Sequence, residues 1–213
     1  MAQIYNWNVQ GFRNSYEKYF YKQRECRAKL IRNCSCTGRM ETYSRNFFPT
    51  LKLFEIRAQH IVTHFNLAAG SRVLVAGCAF GFLMEELQKL GMTVYGFDNS
   101  PYIQQLAKDN KNPMKVQFPI HNVDIASTNF VQQIQQATGH ATFDCVVTED
   151  VLPSFDNFTQ IMSNCNSVSQ KVFHIVDLEC GEAFTNKTAE EWIVVNPSHT
   201  WANHEGEVLN ANN

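Results

Sequence analysis

The 213-residue chain has no apolar run near the roughly 20 residues that cross a bilayer, and its start, MAQIYNWNVQGF, lacks a basic stretch leading into an apolar one. A membrane-spanning or secreted protein is therefore not expected, and a cytoplasmic one is. No paired C-x2-C knuckle occurs. The seven cysteines, at 26, 34, 36, 78, 145, 165 and 180, are odd in number and dispersed, which suits reduced thiols better than a disulfide framework. Cys26, Cys34 and Cys36 have no fourth ligand nearby, so no metal is expected. A large charge excess is also missing: 18 Lys and Arg against 20 Asp and Glu leave −2, which excludes a polycation built to coat nucleic acid. There is no internal repeat and no low-complexity tract.

What is present is 44% apolar residues, enough for the core of one ordinary α/β domain. The charge is uneven along the chain. The first 57 residues hold eleven Lys and Arg against four Glu, a balance of +7 that leaves −9 for the remainder. This basic segment reads as helical from Asn14, with a connector from Asn33 to Pro49. A cleaner helix follows Thr50, where Leu51, Phe54, Ala58, Ile61, Val62 and Phe65 recur on one face.

From Gly70 onward, short β-branched or aromatic runs alternate with helical stretches. Strands are expected at 72–76, 93–97, 115–118, 142–147 and 171–177, with helices starting near Phe82, Ser100, Ser127 and Asp156. Such alternation argues for a Rossmann-like, doubly wound, mostly parallel sheet covered on both faces. A short hairpin about Glu205 and Gly206 and a capping box from Thr188 to Glu191 complete the reading. The expected domains are an N-terminal helical cap or lid over 1–49 and a Rossmann-like domain over 50–213.

The stretch that carries chemistry is Val73-Leu-Val-Ala-Gly-Cys-Ala-Phe-Gly81, followed by a helix and by Val94-Tyr-Gly-Phe-Asp98. Gly77 and Gly81 lie in the turn from the first strand to its helix, where a missing Cβ lets a ligand approach. Asp98 ends the second strand beside that turn, at ribose distance, able to accept hydrogen bonds from a 2′,3′-diol. Among the histidines, His174 reads as a core or sheet-face residue, while His121, His199 and His204 fall in loops or at a strand edge, and none can be singled out as a general base.

Over residues 50–180 the chain resembles the class I S-adenosylmethionine-dependent methyltransferases, most closely in VLVAGCAFGFLMEELQKLGMTVYGFDNS. The resemblance implies S-adenosylmethionine as cofactor. It implies that the loop of Gly77, Cys78, Ala79 and Gly81 wraps the methionine and ribose portion and that Asp98, with Asn99, binds the ribose hydroxyls. It further implies an adenine contact at Asp124 and Ile125, and it places Asp150, in FDCVVTEDVLPSF, in the loop facing the methyl group. Two positions depart from the family pattern: Val75 stands where an acid is usual, and Ala79 where a third glycine is. With no acid at position 75, Tyr43 or Arg45 of the connector could instead meet the cofactor's carboxylate.

The expected activity is methyl transfer to an unidentified acceptor. A small molecule is favoured, because Glu149-Asp-Val-Leu152 stands where amino-methylating nucleic-acid enzymes carry an Asn/Asp-Pro-Pro-aromatic tetrad. A nucleic acid ranks second. The alternatives are a cofactor-binding module without transfer activity and a nicotinamide-dependent oxidoreductase, whose G-x-G-x-x-G pattern would require glycines at Ala79 and Phe82.

Overall fold

The computed structural model describes residues 47–79, 81–99, 103–104, 119–149, 151–152, 159–176, 198–203 and 206–209. In chain order the elements are α1 (Phe47–Phe65), β1 (Arg72–Ala76), α2 (Phe82–Lys89), β2 (Thr93–Phe97), β3 (Ile120–His121), α3 (Phe130–Thr138), β4 (Cys145–Glu149), α4 (Thr159–Val168), β5 (Val172–Ile175) and β6 (Thr200–Ala202). The strands form one parallel sheet in the order β3-β2-β1-β4-β5-β6, so the doubly wound architecture stands.

β1 is central and buried on both faces because all four residues after Arg72 are apolar. Its alternation deals them to two cores. Val73 and Val75 join Ala58 and Ile61 of α1 and Leu83, Met84 and Leu87 of α2, whereas Leu74 and Ala76 join Phe130 and Ile134 of α3 and Ile161 and Cys165 of α4. Val75 is thus a fully buried part of the α1/α2 core. Gly96 of β2 has a packing reason: a Cβ there would lie 2.3 Å from Met84 Sδ and 2.9 Å from Cys78 Sγ.

Several boundaries differ from the sequence expectation. α1 begins at Phe47 rather than after Thr50, and the third strand is the two-residue Ile120–His121. The stretch expected to hold that strand, 115–118, lies outside the described residues, as do the helix from Asn14, the connector before Phe47 and the capping box at 188–191. The expected hairpin is present in reduced form. β6 joins the main sheet beside β5, and its last residue, Ala202, bridges antiparallel to Val208.

Candidate functional site

The glycine turn leaves the C-terminal end of β1 and is pinned to β2 by two bonds to one carbonyl. The N–H groups of Gly77 and Cys78 donate to Phe97 O at 2.9 and 3.2 Å. Gly77 has φ +69°, Ala79 +45° and Gly81 +84°, so the chain turns left-handed three times before α2 starts. Gly81 then serves as the N-cap of α2, and its carbonyl accepts the Glu85 N–H at 3.0 Å. The residue that departs from the usual glycine, Ala79, adopts the very conformation that favours glycine.

At Gly77 the positive φ is itself one that an L side chain rarely adopts, and the protein's own next loop lies close by. A Cβ on Gly77 would fall 2.4 Å from Val151 Cγ2 and 3.1 Å from the Glu149 carbonyl. The missing side chain therefore lets the loop after β4 close on the turn, and a substitution would press on Val151.

Asp98 is 6% exposed at the end of β2. Its Oδ2 accepts the Ala79 N–H at 3.0 Å, its own N–H donates to His121 O at 3.1 Å, and its carbonyl accepts from Gln104 Nε2 at 2.7 Å. The carboxylate is thus tied to the turn, and Asn99 follows as an exposed residue. Cys78 lies between two acids. Burial first, then the negative charges of Asp98 and Glu149, push its thiol well above the usual range, which makes it an inert neutral group. Cys145 and Cys165 are likewise free and buried, and burial raises Cys165 to about 12.

At the end of β3, Asp124 is exposed and accepts the Ala126 N–H at 2.9 Å, capping its own turn. Ile125 is buried, and its carbonyl accepts from Asn164 Nδ2 at 2.6 Å, which anchors this loop to α4. Both residues stand on the same edge of the sheet as Asp98, one strand further out. Asp150, Tyr43 and Arg45 lie outside the described residues.

Two arrangements escaped the sequence. Glu149, at the end of β4, forms an ion pair with Arg57 of α1, whose side chain is 2% exposed. Nothing local announces it, since the partners are 92 positions apart. On the other face, Thr148, His174, His199 and Asn166 form a continuous chain of bonds. Oγ1 to Nδ1 is 2.7 Å, Nε2 to Nδ1 is 2.8 Å, and Nε2 to Oδ1 is 2.8 Å. With the Asn166 carbonyl oxygen accepting, His199 donates from Nε2, His174 donates from Nε2, and Thr148 donates its hydroxyl. Both rings are then neutral. Burial depresses His174 well below its usual value and His199 to about 4. His174 is the buried sheet-face residue expected, and His199 lies in the bend just before β6, as expected of a loop or strand-edge residue, with its ring buried. Among the described residues, no group of three or more His, Cys, Asp or Glu could hold a metal ion, and no helix is long and apolar enough to cross a membrane.

With a parallel sheet in this order, a pinned glycine turn and an acid at the end of β2, the site has the form of a nucleoside-binding edge. Residues 74–172 match the family model described as a methyltransferase domain. A segment just under half of the chain thus matches the methyltransferase domain family. Solved structures similar to it include the N-terminal domain of EvdMO1 with S-adenosylhomocysteine bound (18% identity, 57% of this chain and 48% of that one, TM-score 0.45). Others are the magnesium protoporphyrin IX methyltransferase of Synechocystis with S-adenosylmethionine (22%, 58% and 56%, 0.43) and an S-adenosylmethionine-dependent methyltransferase of Clostridium acetobutylicum (13%, 64% and 55%, 0.45). The chain spans about half the length of these solved structures. No curated protein matches it.

Proposed function

We propose that this methyltransferase domain binds S-adenosylmethionine at the C-terminal edge of β1, β2 and β3 and transfers its methyl group to a small-molecule acceptor. The observation that carries the reading is Asp98. A nearly buried carboxylate bonded to the glycine turn is an acceptor poised for a ribose diol. Asp124 and Ile125, one strand outward, are the residues this reading assigns to the adenine. When bound, the cofactor supplies an electrophilic methyl on a sulfonium, so no protein nucleophile is required. The chain's part is to orient the two reactants and keep water out. Buried Phe82 and Leu152, either side of the turn, are the apolar groups at this edge suited to the second task. The small-molecule preference rests on the absence of the Pro-Pro tetrad after β4.

Calorimetry with S-adenosylmethionine, S-adenosylhomocysteine and NAD tests the cofactor. Binding of the first two without NAD is expected, and NAD alone would mark an oxidoreductase. Asp98→Ala should weaken S-adenosylhomocysteine about 10- to 150-fold, the worth of a hydrogen bond to a charged group. An unchanged dissociation constant would remove Asp98 from the site. A screen of acceptors with labelled methyl then separates an enzyme from a module that binds without turnover.

A further inference from the structure

An S-adenosyl cofactor ends in a free α-amino acid, one ammonium and one carboxylate, and both charges need partners when they leave water. Val75 provides none, being wholly buried among the side chains of the α1/α2 core. The sheet order puts β2 on one side of β1 and β4 on the other. Asp98 and Glu149 therefore flank the glycine turn two strand spacings apart, roughly 10 Å, which is the scale of the distance from a ribose to the end of a methionine tail.

Glu149 lies on the α1/α2 face, as does Val147 two residues earlier, and its carbonyl abuts Gly77. From that face α1 delivers Arg57, with its guanidinium paired to Glu149 and 5.3 Å from the centre of the Phe54 ring. Phe54 in turn stacks on Phe82, the first residue of α2, at 5.2 Å. Arg57 is the only buried lysine or arginine among the described residues. A cation so placed is costly as mere scaffolding, because a buried ion pair seldom outweighs well-packed apolar groups in stability. A zwitterion laid against the pair in the opposite sense would give each charge a further partner of opposite sign.

We propose that the Arg57–Glu149 pair is the recognition site for the amino-acid end of the cofactor, the guanidinium meeting its carboxylate and Glu149 its ammonium. This rests on the cofactor reading above and makes the pair a discriminator between adenosyl ligands with and without an amino acid.

The test compares two probes by calorimetry on the full chain: S-adenosylhomocysteine, and 5′-deoxy-5′-methylthioadenosine, which keeps the nucleoside and thioether and lacks the zwitterion. Glu149→Gln and Arg57→Met should each weaken the first about 10- to 100-fold and the second less than about twofold, whereas Asp98→Ala should weaken both alike. Arg57→Lys keeps the charge without the planar fork and should fall between. Equal losses for both probes in Glu149→Gln, or no loss for either, would overturn the proposal and leave the pair as a clasp between α1 and β4. Should Arg57→Met fail to fold, the Glu149→Gln comparison decides alone, since that change preserves shape. Wild-type protein that binds neither probe would instead overturn the cofactor reading beneath.

Discussion

At Ala79 a residue with a Cβ holds φ +45°, between two glycines that are also left-handed. The left-handed region costs an L-residue about 1–2 kcal/mol, whereas glycine visits it freely and loses somewhat more entropy on folding. Ala79→Gly should therefore raise stability modestly, by up to about 1 kcal/mol, after the extra entropy of the unfolded glycine is subtracted. Gly77→Val goes the other way. It adds a β-branched side chain at φ +69°, with its first carbon 2.4 Å from Val151 Cγ2. A loss of about 2–4 kcal/mol is expected from combined backbone strain and overpacking. Urea denaturation of the two variants checks both signs. A neutral Gly77→Val would mean that the loop after β4 can move away at little cost. The contrast separates two reasons for glycine that a sequence motif merges: room for a ligand, and room for the protein's own next loop.

Among the elements, β4, β5, β6 and α4 are joined by the Thr148, His174, His199 and Asn166 chain. Its pH dependence has a definite sign. His199 titrates near 4 in the fold against 6.5 for a free imidazole, so between those values the unfolded chain binds a proton that the folded one refuses. Stability is full above about 6.5 and falls as the pH drops toward 4, by about 1.4 kcal/mol per pH unit for each such proton. His174 is shifted in the same direction and steepens the fall. Unfolding free energies between pH 7 and 5, above the range where carboxylates titrate, should show this slope, and His199→Gln should flatten it. A wild-type slope of zero would mean that the rings are charged in the fold. These elements also mark how far sequence reaches. β1, α2 and β2 were legible because their signals are local, from Val73 through Gly81 to Asp98. The histidine chain was not, since His174 and His199 are 25 positions apart and became neighbours only when β6 paired with β5. The Arg57–Glu149 pair was hidden for the same reason, and Glu149 reads locally as one more acid after a strand.

On the scale of the whole molecule, the first and last described segments lie against each other. His60 Nδ1 donates to Gly206 O at 2.8 Å, His64 Nε2 bonds Thr200 Oγ1 at 2.9 Å, and Lys171 Nζ reaches Phe65 O at 3.1 Å. Gly206 is tight against α1: a Cβ there would come within 3.1 Å of Arg57 Cα. The helix that delivers Arg57 to the site is thus seated on the C-terminal segment, which is itself held by the Leu209 N–H to Trp201 O bond at 2.8 Å and by the bridge from Val208 to Ala202. Deleting residues 204–213 keeps β6 and its buried Trp201 but removes that seat. The loss should be about 2–4 kcal/mol, from a few net hydrogen bonds and the apolar contacts of Val208 and Leu209. It should fall unevenly, too. Amide exchange should accelerate across residues 54–65 of α1 and at Glu149, while β1 and β2, whose strand pairing with each other is untouched, keep their protection. If α1 exchanged at its wild-type rate in the truncated protein, the helix would be held by the sheet alone, and the C-terminal segment would have no part in placing Arg57.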